Sequence, residues 1–159
     1  MKEIIDRLLL EAHVEGGYFR QTYQTEQQLE TINGKRFLMN SIYYLLTSES
    51  HIGYFHRGRY DITHFYHLGA PMHYLLLSPE GDYFETTLGP NPGTHEVLSF
   101  TTPGGWWKSS FISEDDGYSL ISEVVSPGFD FADHEIATGE YFLKNFPDHY
   151  DRLQEFIRA

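Results

Sequence analysis

The sequence predicts an all-β fold with a helix at its start and a helical segment at its end. Three observations lead to this prediction. The chain contains 12 Tyr and 12 Phe residues, and aromatic side chains are enriched in strands. Between about residue 18 and residue 126, short apolar segments alternate with turn signals, as they do in sandwiches and barrels. Apolar residues at helical spacing occur near both ends of the chain.

The N-terminal segment, residues 2–12, is predicted to be an amphipathic helix. Its apolar positions follow the spacing of one helix face: Ile4, Ile5, Leu8, Leu9 and Ala12. The pair Gly16-Gly17 then interrupts regular structure. At the other end, residues 147–157 are predicted to form a closing helix, because Tyr150, Leu153, Phe156 and Ile157 fall on one side.

Seven segments between the two ends are predicted to be strands. Turn signals separate them, and Asn33-Gly34 is typical of a tight hairpin turn. The predicted strands are Phe37–Leu46, Asp61–Leu68, Met72–Leu77, Tyr83–Leu88, Glu96–Phe100, Trp107–Ile112 and Tyr118–Val125. Regular spacing without a linker or an internal repeat predicts a single domain over residues 1–159.

Charge and composition restrict the classes of partner. The formal net charge of −12 disfavours nucleic acid and anionic membrane surfaces, which carry negative charge themselves. The chain has no cysteine, which excludes disulfides and thiolate metal sites. It has no apolar run of about 18 residues and no signal-like start, so we expect a cytoplasmic protein. The expected partner is a small polar metabolite.

Histidines are concentrated in the middle of the chain. His56 and His64 lie an even number of residues apart, so a pair of extended strands can present both on one face. His64 and His67 are three apart and should point to opposite faces. We therefore predict that His56 and His64 face inward and that His67 faces outward. The inward histidines could be metal ligands, a general base or ordinary core residues.

Two segments resemble the paired motifs of the cupin superfamily. His56 matches the first histidine of the first motif, and Gly69 matches its closing glycine. Pro103 and Gly105 match the centre of the second motif. The resemblance implies a cupin jelly-roll barrel with an N-terminal helix and a C-terminal helical segment. It also implies that the positions of the usual metal ligands are recognisable in this sequence.

Most of those metal ligands are replaced. Gly58 stands in place of the second histidine, Ile62 in place of the glutamate, and Lys108 in place of the last histidine. A catalytic metal normally needs about three protein ligands. We therefore predict no cofactor and no tightly bound metal. The alternative is a divalent metal at a rebuilt site made of His56, His64 and Glu123.

Further segments narrow the resemblance to the small single-domain cupins known as the fifth cupin family, whose function is unknown. These segments are residues 15–20, 41–46 and 126–133, and the likeness extends from about residue 11 to residue 145. It implies a homodimer. It also implies a likeness in fold to the dTDP-4-dehydrorhamnose 3,5-epimerases, which are cupins that work without a metal.

The leading functional hypothesis is a metal-independent epimerase or isomerase that acts on a sugar or a nucleotide-sugar-like metabolite. The candidate catalytic residues are His56 or His64 as the base, Glu123 or Asp130 as the group that orients the imidazole, and Tyr44 as a proton donor. The candidate substrate-binding residues are Arg20 and Lys108 for an anionic group, Asp130, and the aromatic side chains of Tyr18 and Trp106. Asp130 is alternatively a cap for the turn that follows it.

Two other hypotheses remain open. The first is a non-catalytic cupin that binds a ligand without turnover. The second is a metal-dependent cupin enzyme that uses the rebuilt ligand set. Measurements of bound metal and of turnover distinguish these hypotheses from the metal-independent enzyme.

Overall fold

Two six-stranded sheets form most of the protein, whose structure is a computed structural model that describes residues 2–158. Three α-helices lie at the ends of the chain: α1 at Lys2–Leu8, α2 at Gly139–Asn145 and α3 at Pro147–Leu153. Two short 3-10 helices lie at Phe131–Asp133 and Gln154–Phe156. Within residues 2–158, no helix is long and apolar enough to cross a membrane.

The strands are numbered β1 to β14 in chain order. They are Glu11–Ala12, Tyr18–Gln24, Gln28–Thr31, Gly34–Phe37, Asn40–Thr47, Ile52–Gly58, Ile62–Gly69, Met72–Leu77, Tyr83–Leu88, Glu96–Val97, Ser99–Thr102, Trp107–Phe111, Tyr118–Val125 and His134–Ile136. The first sheet has the order β1-β2-β5-β13-β7-β11, and the second has the order β10-β9-β8-β12-β6-β14. The predicted all-β jelly roll is therefore confirmed.

The main core lies between the two sheets. Leu46 and Ile121 from the first sheet pack with Met72, Tyr74 and Leu76 from the second. Each fully buried side chain of this size contributes roughly 1.5–3 kcal/mol to the stability of the fold. Because side chains alternate along a strand, polar residues at inward positions of these same strands are carried into the space between the sheets.

The helices cover the outer faces of the sheets. Residues of α1 pack on Leu45 and Leu120 of the first sheet. Phe142 and Leu153, from α2 and α3, pack on Trp107 of the second sheet. The helices thus bury apolar surface outside the sheets, and the space between the sheets remains available for a cavity.

Several element boundaries differ from the prediction. Helix α1 ends at Leu8, because Leu9 has a left-handed φ of 54° and the chain then pairs as β1. Strand β6 was not among the predicted strands, since Gly53, His56 and Gly58 interrupt its apolar pattern. Helix α2 was also not predicted. A hairpin forms near the predicted turn at Asn33-Gly34, but its two turn residues are Ile32 and Asn33, because Gly34 already pairs opposite Thr31.

Candidate active site

A cavity of about 180 Å³ lies between the two sheets. Its walls combine charged, polar and apolar side chains. They come from His13, Glu15, Phe19, Gln21, Asn40, Ile42, His56, Gly58, Ile62, Glu123, Val125, Phe129, Phe131 and His134. Two carboxylates, Glu15 and Glu123, belong to this wall, and each is the centre of a separate polar group. The chemistry of the cavity depends on these two groups.

The Glu123 group consists of Glu123, Lys108, His64 and Thr102. Lys108 Nζ lies 2.9 Å from Glu123 Oε1, and His64 Nδ1 lies 3.0 Å from the same oxygen. On its other side, His64 Nε2 is 3.2 Å from the Thr102 hydroxyl. The His64–Glu123 contact is close but is not an aligned hydrogen bond. Glu123 and His64 are paired across β13 and β7, whereas Lys108 reaches them from the opposite sheet.

Burial and charge set the protonation of the Glu123 group. Burial raises the pKa of Glu123, but the Lys108 ammonium and the nearby His64 outweigh burial and hold this pKa well below its usual range. Burial, reinforced by the positive charge of Lys108, lowers the pKa of His64 to about 4. At neutral pH the group therefore contains a carboxylate, an ammonium and a neutral imidazole.

The Glu15 group consists of Glu15, His13, His56 and His134. His134 Nε2 lies 2.5 Å from Glu15 Oε1, and His56 Nε2 lies 3.1 Å from Glu15 Oε2. His13 Nδ1 accepts a hydrogen bond from the Glu15 backbone N–H at 3.2 Å, so this nitrogen presents a lone pair. The group therefore surrounds one carboxylate with three imidazoles, and His134 is its hydrogen-bonded partner.

Close backbone packing holds Glu15 in place. The Tyr54 N–H donates to the Glu15 carbonyl at 2.7 Å, which fixes the loop against β6. Gly16 follows with a φ of 99°, and a Cβ there would lie 2.2 Å from the Ile52 carbonyl oxygen. Only glycine accommodates this combination of left-handed backbone and close approach. The tandem glycines thus position the carboxylate between the sheets.

His134 lies beside Gly58, the residue that stands in place of the second cupin histidine in the sequence. It is paired directly opposite Gly58 between β14 and β6. Gly58 has no side chain, and the His134 ring lies 5.6 Å from the His56 ring, centroid to centroid. An imidazole from a neighbouring strand therefore occupies the wall beside His56.

The tautomer of His56 follows from its contacts. Its Nδ1 lies 2.8 Å from the Tyr54 carbonyl, which can only accept, so Nδ1 carries the hydrogen. Burial lowers the pKa of His56 to about 4, in spite of the attraction of Glu15. The neutral ring thus has its lone pair on Nε2, beside Glu15. Burial raises the pKa of Glu15, but His56 and the hydrogen bond from His134 outweigh it, and the net pKa is lowered.

Three of the predicted site residues meet at this cavity. His56 and Glu123 line it, and Lys108 is bonded to Glu123 and paired directly opposite His56 across β12 and β6. His64 is fully buried behind Glu123, where its ring stacks on Phe100 at 4.6 Å. As predicted, His67 lies on the exposed face of β7.

Tyr44 is close to the Glu15 group but is engaged elsewhere. Its hydroxyl donates to the Gly16 carbonyl at 3.0 Å. Burial, together with the charges of Glu15 and Glu123, raises the pKa of Tyr44 well above its usual value. Tyr44 is buried in the core and is not part of the cavity wall formed by residues 2–158. Through this hydrogen bond, Tyr44 supports the loop that contains Gly16.

Tyr18 and Arg20 are not brought to the cavity. Their neighbours Phe19 and Gln21 line it, and adjacent residues of a strand point to opposite faces. Tyr18 packs with the apolar residues beneath α1, and the Arg20 guanidinium lies over the Tyr43 ring at 6.0 Å. The expectation that these two residues line the pocket is therefore wrong, because the alternation of side chains along the strand directs both away from the cavity.

Trp106 and Asp130 also lie outside the cavity wall formed by the described residues. The Trp106 ring packs on Phe84 at 5.3 Å. Asp130 accepts a hydrogen bond from the Ala132 N–H at 2.8 Å and caps the 3-10 helix that follows, which confirms its predicted capping role. Its carboxylate is 4.0 Å from Arg36, so it does not reach a histidine of the site.

Sequence reasoning missed several residues of the wall. Glu15, His13 and His134 were not assigned to the site, and neither were the carboxamides of Gln21 and Asn40. One signal was available, because Glu15 directly precedes the tandem glycines of a segment that supports the family resemblance. For His134, no signal in the sequence indicates its pairing with Gly58.

The residues at the usual cupin metal position do not fit a divalent cation. Gly58 offers no donor atom, Ile62 is apolar, and the Lys108 ammonium already neutralises Glu123. Within residues 2–158, no three His, Cys, Asp or Glu side chains are grouped so that they could hold a metal ion. The alternative set is thus not assembled, because His64 contacts Glu123 while His56 contacts Glu15.

Comparison with known proteins identifies relatives of the whole chain. A family model described as Cupin superfamily (DUF985) matches residues 2–137. Uncharacterized protein YML079W of Saccharomyces cerevisiae is 37% identical over 159 residues, which span 91% of this chain and 79% of that protein.

Two solved structures also match nearly the whole chain. A hypothetical protein from Leishmania major has a TM-score of 0.93 at 30% identity and covers 99% of this chain, with 98% of that chain matched. Protein SO0799 from Shewanella oneidensis has a TM-score of 0.90 at 34% identity, over 99% and 97% of the two chains. Oxalate decarboxylase from Bacillus subtilis, at 14% identity and a TM-score of 0.57, shares the fold over 91% of this chain and 36% of its own.

Proposed function

Because this chain belongs to the Cupin superfamily (DUF985), we propose that it binds a sugar-like metabolite between its sheets and isomerises or epimerises it by proton transfer, without a metal ion. The observation that carries this proposal is the environment of His56. A neutral imidazole with a fixed tautomer presents a free Nε2 beside a buried carboxylate. This combination suits a general base.

The first step is removal of a proton from the carbon next to a substrate carbonyl. His56 Nε2 takes this proton, and the electron pair of the C–H bond forms a C=C bond as the carbonyl oxygen becomes an enolate. The ring gains a positive charge, which Glu15 stabilises from 3.1 Å away. The Tyr54 carbonyl holds the other ring nitrogen throughout, so the base keeps its orientation.

Lys108 is the candidate group for stabilising the enolate. It is buried and lies directly across the strand pair from His56. Its ammonium is charged and already oriented by Glu123, so little reorganisation accompanies the appearance of negative charge nearby. In a substrate with a hydroxyl group next to the carbonyl, the enolate oxygen takes up a proton and the hydroxyl gives one up to become the new carbonyl, while His56 returns its proton to the former carbonyl carbon, which completes an isomerisation. In an epimerisation, His134 instead donates a proton to the opposite face of the original carbon, and His56 keeps the proton that it removed.

The size and lining of the cavity favour a small polar ligand. Its volume of about 180 Å³ is well above the roughly 10–15 Å³ that one water molecule requires by this measure. We assign a single sugar-sized ring to this space. Gln21 and Asn40 supply both donors and acceptors for hydroxyl groups, and Phe19 and Phe129 supply apolar faces for the ring.

The test is exchange of substrate hydrogen with solvent. Wild-type protein is incubated in D₂O with a panel of aldoses, ketoses and nucleotide-linked keto sugars, and mass spectrometry records deuterium at carbon. We expect incorporation into at least one compound and its loss in His56→Gln. His67→Gln is the matched control, because His67 lies on the exposed face and bonds to Ser122. If His56→Gln incorporated as much deuterium as the wild type, His56 would not be the base.

A non-catalytic binding protein is the competing outcome of the same experiment. Saturable binding of a sugar without deuterium incorporation by the wild type would indicate a ligand-binding cupin. His56→Gln would then change affinity without changing any rate. This outcome would exclude proton transfer for the bound compound but would retain the cavity as its site.

A further inference from the structure

A second, larger depression opens beside the cavity and has no role in the proton transfer. This outer groove has a volume of about 580 Å³. Two arginines, Arg57 and Arg59, line it together with Asp133 and Glu135. Gly58 and His134 line both the outer groove and the inner cavity. The two spaces therefore meet at the wall that contains the His134 imidazole.

Arg59 is the more exposed and the more loosely held of the two arginines of the outer groove. Its Nε lies 3.3 Å from Asp133 Oδ1, but Arg36 bonds the same carboxylate more closely, at 2.6 Å. The buried Arg36 is the strongest influence that lowers the pKa of Asp133. Asp130 also lies 4.0 Å from Arg36, so the two guanidinium groups face two carboxylates. The Arg59 side chain is 46% exposed, so it can reach a ligand in the groove.

Arg57, in contrast, is firmly held. Its Nε and one terminal nitrogen lie 2.8 Å and 2.6 Å from Glu135 Oε2. Its guanidinium also lies over the Trp107 ring at 4.5 Å. Loss of Glu135 would leave this second cation beside the groove without its partner. Substitution of Glu135 should therefore raise the positive charge available to a ligand in the groove, and substitution of Arg59 should lower it.

The inner cavity has the opposite character. Glu15 and Glu123 both line it, and Lys108 is already paired with Glu123. No arginine lines the inner cavity among the described residues. An anionic group that enters it loses its hydration next to two carboxylates, which is unfavourable. A substrate with one charged and one uncharged part therefore has a preferred orientation.

We infer that the outer groove binds the phosphate-bearing part of the substrate through Arg59, while the uncharged sugar lies in the inner cavity. This assignment rests on the proposed function and specifies its substrate as a sugar joined to a phosphate or nucleoside diphosphate. The groove, at about 580 Å³, offers more room for a nucleotide than the inner cavity, at about 180 Å³. Gly105 lines the groove, and a Cβ there would meet no atom within 4 Å, so a ligand can approach the backbone closely at this position.

The test uses uridine diphosphate and inorganic phosphate as probes in calorimetric titrations of the whole protein. Arg59→Gln should weaken binding of the diphosphate by about tenfold or more, the usual effect of losing a charge-assisted hydrogen bond. Glu135→Gln should strengthen it, since Arg57 is released from its carboxylate. Arg7→Gln removes an exposed charge on α1 that pairs with Glu3 and should change nothing.

A gain of affinity in Glu135→Gln and a loss in Arg59→Gln cannot both come from misfolding. Binding of free phosphate as tight as that of the diphosphate would identify a phosphorylated sugar rather than a nucleotide-linked one. No binding of either probe to the wild type, or equal binding by Arg59→Gln, would overturn the assignment. Probe binding that depends on Arg59 in a protein that exchanges no substrate hydrogen would retain the groove and reject the catalytic proposal.

Discussion

The two carboxylates of the inner cavity are buried in different ways. Glu123 is bonded to the Lys108 ammonium, and the two side chains come from strands β13 and β12 of opposite sheets. Glu15 lies in a loop, and its side-chain partners within residues 2–158 are imidazoles. The Glu123 group therefore contains an ammonium–carboxylate pair, whereas the Glu15 carboxylate faces histidines that can exchange protons. The ammonium–carboxylate pair suits electrostatic stabilisation, and the histidine-rich group suits proton transfer.

Removal of Lys108 should have the largest effect. Lys108→Met leaves the Glu123 carboxylate buried without its ammonium, and such changes destabilise proteins by about 3–5 kcal/mol. Denaturant unfolding monitored by circular dichroism measures the loss. The double variant Lys108→Met with Glu123→Gln should recover much of it, since the unpaired charge is gone. An unchanged midpoint in Lys108→Met would contradict the view that the pair is fixed and buried.

Removal of the charge of Glu15 should have a smaller effect. Glu15→Gln retains the shape of the side chain and one acceptor for His134, so we expect a loss of about 1–3 kcal/mol. The same denaturant series measures it. A loss equal to that of Lys108→Met would show that the histidines hold Glu15 as firmly as Lys108 holds Glu123, and would remove the contrast between the groups.

Acid should destabilise the protein through its buried histidines. His56 and His64 have pKa values lowered to about 4 from the ordinary value of 6.5, so the unfolded chain binds protons first as pH falls. Their contribution to stability is full above about pH 6.5 and is lost progressively towards pH 4. Unfolding free energy measured across this range should fall. The slope should flatten in His56→Gln, whereas His67→Gln should leave it unchanged.

The smallest effect is expected at Gly58, beside the Glu15 group. A Cβ added there meets only the tip of Ile62, at 3.7 Å, so Gly58→Ala should change stability by less than about 0.5 kcal/mol. Gly16→Ala is the informative contrast, since its Cβ would collide with the Ile52 carbonyl and displace Glu15. Thermal unfolding of the two variants measures the difference. Equal tolerance would mean that Gly16 does not position the carboxylate.

The members of the Glu123 group were easier to predict from the sequence than those of the Glu15 group. Glu123, His64 and Lys108 lie on strands, where alternation of side chains predicts which residues face inward. Glu15 lies in a loop whose position depends on contact of Gly16 with Ile52, a distant segment. His134 is placed by a three-residue strand that pairs with β6. Local patterns do not specify such long-range pairings.

The fold shows the same difference between local patterns, which the sequence reveals, and long-range pairings, which it does not. The central strands and the jelly-roll class followed from aromatic content and turn spacing. Strand β6, which carries His56, was not predicted, because His56 and two glycines interrupt its apolar pattern. Arg20 and Tyr18 were misplaced for a related reason. The strand β2 that contains them was not predicted, so no alternation could assign them to a face.

The role of His56 as the base depends on the protonation state of its ring. Long-range ¹H–¹⁵N spectra of the histidine rings distinguish the two neutral tautomers and the imidazolium, and comparison with His56→Gln assigns the signals. At pH 7 the structure predicts a neutral ring with its hydrogen on Nδ1, bonded to the Tyr54 carbonyl. An imidazolium, or a hydrogen on Nε2 instead, would leave no lone pair facing Glu15 and would contradict the assignment of His56 as the base.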